Sequence, residues 1–147
     1  MTSEANKPNE PSVSNVMNVS NVTHTTHETE GDEQLRQFDV YQKWTGQTWN
    51  ANGCLELELI NCIMGVSGEA GELTEIMKKV AFQGHPLNPE TIHKMAYEVG
   101  DVLFYLARLA AALEFPLSAI AKLNRIKLEA RYPEGKFDSK RSIDRVG

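Results

Sequence analysis

Apolar residues recur at spacings of three and four along most of this chain, and that period predicts helices almost throughout. The clearest stripe is Ile92, Met95, Val99, Val102, Leu103, Leu106, Leu109 and Leu113, close to the 3.6-residue period of a core-facing helix. Asn88 is a good N-cap for it. Pro89 suits the first helical position, where a missing N–H costs nothing. Upstream, a helical pattern runs from about Leu55 to Phe82 and is broken by Gly84-His85-Pro86-Leu87. Downstream, Pro116 restarts a helix with Leu117, Ile120, Leu123, Ile126, Leu128 and Ala130, which Tyr132-Pro133-Glu134-Gly135 ends. A first helix is expected from a cap at Asp32 to about Trp44, with Leu35, Phe38, Tyr41 and Trp44 on one side, and Gly46 to Gly53 then reads as a loop. No strand pattern of comparable strength is present, so the fold class is all-α, a four-helix bundle.

The pattern starts abruptly. Residues 1–32 contain no Leu, Ile, Phe, Trp or Tyr and are rich in Ser, Thr, Asn and Glu. Such a segment cannot bury enough apolar area to offset its ordering entropy, so it reads as a disordered polar leader. Residues 33–137 form the helical domain, and 138–147 read as a loose polar tail. The leader holds one basic and five acidic residues, against 14 basic and 15 acidic in residues 33–147. The folded part is thus nearly balanced, which argues against a surface that wraps duplex nucleic acid. No apolar run approaches a membrane span, and the first residues lack a basic-then-apolar signal pattern. Two cysteines, Cys54 and Cys62, fit a reducing cytoplasm, where the sequons at Asn18 and Asn21 carry no meaning.

Candidate chemistry sits on four acids. Glu69-x-x-Glu72 and Glu98-x-x-Asp101 each place two carboxylates on one helix face, where like charges repel. If the two helices face each other, a shared cation offsets that repulsion. Hard oxygen donors without Cys or His favour magnesium, with manganese as a substitute, over zinc. A solvated charged face is the plain alternative. Against it, Glu69, Glu72, Glu75 and Lys79 on one helix match Lys94, Glu98, Asp101, Tyr105 and Arg108 on the next. Gly68, Gly71 and Gly100 also stand beside the acids, where glycine costs about 1 kcal/mol in a helix, which suggests close approach by a helix or ligand. A di-iron bundle would need two Glu-x-x-His pairs, and only Glu90 with His93 has that spacing. Trp44, Trp49, Phe82 and His85 are plausible base-contacting groups, but core or dimer-interface packing is the more usual role of such aromatics, so none is assigned to the base.

Three strings carry a resemblance: Gly65-Val66-Ser67-Gly68-Glu69-Ala70-Gly71-Glu72-Leu73 with Lys78-Lys79, then Glu98-Val99-Gly100-Asp101-Val102-Leu103-Phe104-Tyr105-Leu106, then Asn124-Arg125-Ile126-Lys127-Leu128 with Arg131-Tyr132-Pro133. The sequence resembles MazG-type nucleotide pyrophosphohydrolases over about residues 34–137. Tyr97 departs from the pattern, standing where many relatives carry a further acid. The resemblance implies hydrolysis of a nucleoside triphosphate to a monophosphate and pyrophosphate, with a pool-cleaning role. It implies a metal held by Glu69, Glu72, Glu98 and Asp101, with one of these acids activating water. Lys79, Lys127 and Arg131 would neutralise pyrophosphate, and Asn124 would contact sugar or phosphate. It also implies a homodimer or homotetramer. A related phosphoribosyl-ATP pyrophosphohydrolase and a non-catalytic helical interaction module are the alternative readings.

Overall fold

A computed structural model describes residues 30–51 and 53–143, and every regular element among them is helical. The polar leader, apart from its last residues, lies outside the described residues. The elements are α1 (Glu30–Leu35), α2 (Gln37–Thr45), α3 (Leu55–Gln83), α4 (Pro89–Ala112), α5 (Leu117–Arg131) and α6 (Ser139–Ile143). The four expected helices are present, with two differences. The first is split at Arg36 into α1 and α2. A single turn, α6, forms within the stretch expected to be loose.

Local signals explain most boundaries. Asn88 Oδ1 accepts from the Thr91 N–H at 2.9 Å, so the cap of α4 forms as expected. Gly84 ends α3 with φ 73°, a left-handed turn that glycine adopts without Cβ strain, and the next N–H, of His85, donates to Lys79 O at 3.2 Å. Asp32 behaves otherwise than expected. It lies inside α1, and its carboxylate reaches Arg125 at 2.8 Å and Lys122 at 3.3 Å on α5. Its side chain is only 14% exposed, and two cations on α5 supply charge-assisted partners for it across the helix interface.

The helix α5 starts after Pro116 without a side-chain cap of its own. Helix α2 supplies one from a distance. Asp39 Oδ1 accepts from the Ser118 N–H at 2.8 Å, and Oδ2 accepts from the Ser118 hydroxyl at 2.7 Å. Gln42 accepts from the Leu117 N–H at 3.0 Å and donates to Phe115 O at 2.9 Å. These bonds satisfy the backbone groups that every helix start leaves open.

The long antiparallel pair α3–α4 is the main contact, and α5 turns away from α4 by 101°. No single described helix is long and apolar enough to cross a membrane. Among the described residues the buried set is small: Cys62, Ala107, Ala110 and Leu117 with the polar Thr45, and Tyr41 and Ile120 pack against part of it. The α4 stripe expected to face the core divides. Ile92, Val99, Leu106 and Leu113, seven residues apart, stay 55%, 54%, 41% and 48% exposed within one chain. Leu57, Ile60 and Met64 on α3 are exposed as well.

Replacing Asp39 with alanine should cost about 1–2 kcal/mol, the usual value of a lost helix cap with a charge-assisted bond, while Asp39→Asn should cost less. Urea unfolding followed by helical signal checks both; equal stability of Asp39→Ala and parent would remove the capping role.

Candidate metal centre

The register of α3 against α4 builds the site. Because the helices run antiparallel, Gly65 meets Tyr105, and one turn further along Glu69 comes opposite Asp101, then Glu72 opposite Glu98. One carboxylate oxygen each from Glu69, Glu72 and Glu98 lies within 4.8 Å of the others. Asp101 stands outside that mutual distance, but its charge reaches two neighbours. Burial first, and then the charges of Glu72, Asp101 and Glu98, hold the Glu69 carboxyl above the usual carboxylate range. Burial and then Asp101 raise the phenol of Tyr41, which α2 brings to this face. The sequence pattern placed Tyr41 on an apolar stripe and not beside the acids. Three clustered carboxylates with an all-oxygen donor set suit a hard divalent cation.

The other expected site residues are placed elsewhere. Lys79 pairs with Glu75 at 3.7 Å, and Lys78 also contacts Glu75. Lys79 is seven residues beyond Glu72, about 10 Å along the axis of the same helix. Asn124, Lys127 and Arg131 ride on α5. Glu98 lies fourteen residues before the end of α4, about 21 Å, and α5 then departs at 101°. One chain therefore does not bring those three residues to the carboxylates. Lys94 is bound to Glu90 at 2.8 Å instead of facing the acids.

The glycine argument also changes. A Cβ at Gly68, Gly71 or Gly100 would meet nothing within 4 Å, so these three make no close approach to another helix among the described residues. Gly65 does, against the ring of Tyr105. Of the aromatic candidates, Trp44 is 53% and Phe82 84% exposed. His85 is exposed as well. Trp49 is tied down. Its indole N–H donates to Glu58 Oε2 at 2.6 Å, the Arg108 guanidinium lies 5.3 Å over its ring, and Phe104 and Tyr105 flank it.

Comparison with known proteins identifies the family of the helical region. Residues 58–136 match the family described as the MazG nucleotide pyrophosphohydrolase domain. The chain is 32% identical over 102 residues to the gene 37 protein of Mycobacterium phage L5, covering 66% of this chain and 90% of that protein. No solved structure matches significantly.

The raised proton affinity of Glu69 has a thermodynamic sign. Its folded form binds a proton more tightly than the unfolded chain does. Stability from this group is therefore present below the ordinary glutamate range and lost as pH rises through the raised value. In metal-free protein at neutral pH, Glu69→Gln should melt at or above the parent, and the gap should close as pH falls through the carboxylate range. Melting curves in a chelating buffer check this; a variant that melts well below the parent at neutral pH would make Glu69 a structural partner.

Proposed function

The chain belongs to the MazG nucleotide pyrophosphohydrolase family, and from that premise we propose that it hydrolyses a nucleoside or deoxynucleoside triphosphate with magnesium to the monophosphate and pyrophosphate. The observation that carries this reading is the set of three mutually close carboxylates, Glu69, Glu72 and Glu98, with Asp101 beside them. These four residues hold the metal, for which manganese is a workable substitute. When bound, the ion supplies positive charge against the phosphate oxygens as negative charge shifts toward the leaving group. The carboxylates orient the attacking water and accept its proton. Water adds at the α phosphorus, the bond to the bridging oxygen breaks, and pyrophosphate leaves with that oxygen. Lys79, Lys127 and Arg131 neutralise it, and Asn124 hydrogen-bonds sugar or phosphate. Residues 33–137 form the catalytic domain in this reading, with 1–32 and 138–147 as appendages.

The substrate-binding residues reach the acids by assembly, as a homodimer or homotetramer in the cytoplasm. Two observations support this. The exposed seven-residue stripe Ile92, Val99, Leu106 and Leu113, with Leu57, Ile60 and Met64, leaves a large apolar face uncovered in one chain. The charges also divide. Residues 33–116 hold six basic and eleven acidic groups, whereas 117–147 hold eight basic and four acidic. A second copy can bring its basic α5 to the acidic hairpin, and Gly68 and Gly71 leave room for it.

Purified protein with magnesium should release monophosphate and pyrophosphate in equal amounts from a panel of standard and modified triphosphates and phosphoribosyl-ATP. Orthophosphate with a diphosphate would place attack at another phosphorus and end this reading. Glu98→Gln should lower turnover by about a hundredfold or more while leaving the metal-free fold intact. For the assembly, light scattering should give a multiple of the 16.4 kDa chain mass. Val99→Glu combined with Leu106→Glu should reduce both the mass and the turnover. A monomeric parent with full activity would refute completion by a second copy.

A further inference from the structure

We propose that Tyr105 is a positioning residue for the carboxylate set. Its ring, seated on the bare backbone of Gly65, fixes how deeply α4 lies on α3, and hence the spacing of Glu69, Glu72 and Glu98. The proposal rests on reading those carboxylates as the metal centre.

The contact is tight. A Cβ at position 65 would lie 2.2 Å from Tyr105 Cδ1, 2.3 Å from Cε1 and 2.5 Å from Cγ. That is about 1 Å short of ordinary van der Waals contact, so a methyl group there must move something. The atoms it would strike belong to a rigid ring, not to the end of a flexible chain. The glycines nearer the acids face open space, so this is the point where the bare backbone of α3 touches α4.

The ring has little freedom to yield. Trp49 meets it edge-on at 6.2 Å and 83°, and Phe104 at 5.4 Å and 87°. Trp49 is itself held by the Glu58 bond and the Arg108 guanidinium. An added methyl must therefore move the ring, and with it the helix that carries the ring or the groups packed around it. The acids begin one turn away, with Glu69 four residues after Gly65 and Asp101 four before Tyr105. A helix transmits such a shift over one turn almost undiminished, because its hydrogen-bonded backbone is stiff. Ligand sets work only when held within about 0.5 Å of their productive geometry, so the set is sensitive to how α4 sits on α3.

The test uses the full chain and manganese as the probe, with binding read by the electron spin resonance of free Mn2+ and folding read by melting temperature and helical signal. Gly65→Ala and Tyr105→Ala should each weaken Mn2+ binding by about tenfold or more and raise the Mn2+ needed for half-maximal turnover, with helical content retained. Tyr105→Phe keeps the ring and should bind Mn2+ as the parent does. Should Gly65→Ala fail to fold, the contrast between Tyr105→Phe and Tyr105→Ala still decides the matter. A lower melting temperature with parental Mn2+ affinity in both alanine variants would make the contact merely structural and overturn the proposal. Glu98→Gln separates the two layers. If it loses Mn2+ binding while the alanine variants keep it, only the positioning role fails. If it too binds like the parent, the metal-centre reading itself fails, and the positioning role falls with it.

Discussion

The antiparallel register between α3 and α4 is the constraint on which the rest depends. It sets Gly65 against Tyr105, and the two acidic pairs follow from that contact by helical geometry. The same register that packs the hairpin thus forces Glu69, Glu72 and Glu98 together, against their mutual repulsion. The raised proton affinity of Glu69 is the local trace of that conflict. A hairpin selected only for stability would not keep four acids where two helices meet. Function is the simplest reason to tolerate such a conflict.

The remaining helices are organised by polar contacts more than by a large core. Helix α2 caps α5 through Asp39 and Gln42, and Asp32 of α1 holds α5 through Lys122 and Arg125. These bonds fix the direction in which α5 leaves the hairpin. That direction carries Asn124, Lys127 and Arg131 away from the acids of their own chain. The small core, the exposed α4 stripe and the separated charges are the features on which the proposed assembly rests.

The Trp49 loop connects these two halves. The described residues between α2 and α3 form no helix or strand, yet Trp49 reaches α3 through Glu58 and α4 through Phe104, Tyr105 and Arg108. A loop anchored in this way can support the ring of Tyr105 without contributing a helix to the bundle.

Periodicity and punctuation in the sequence determined the helical class, the cap at Asn88, the breaks at Gly84 and Pro116, and the two acidic pairs, because each is set by residues within one or two turns. The family was legible for the same reason, since its three strings are short and local. Only the tertiary structure decided what spans helices. Asp32 reads as a cap but is an interhelix ion partner, because Lys122 and Arg125 are distant in sequence. Gly68, Gly71 and Gly100 looked like close-approach positions, and Gly65 is the one that meets α4, because the neighbour of a glycine depends on register. The α4 stripe carried a core pattern, but half of it stays exposed, because periodicity does not say how much of a stripe a neighbouring helix covers. Lys79, Asn124, Lys127 and Arg131 have the right chemistry, whereas their distance from the acids is fixed by helix length and by the turn between α4 and α5. Residue type and spacing encode local geometry; the meeting of distant segments depends on how whole helices pack.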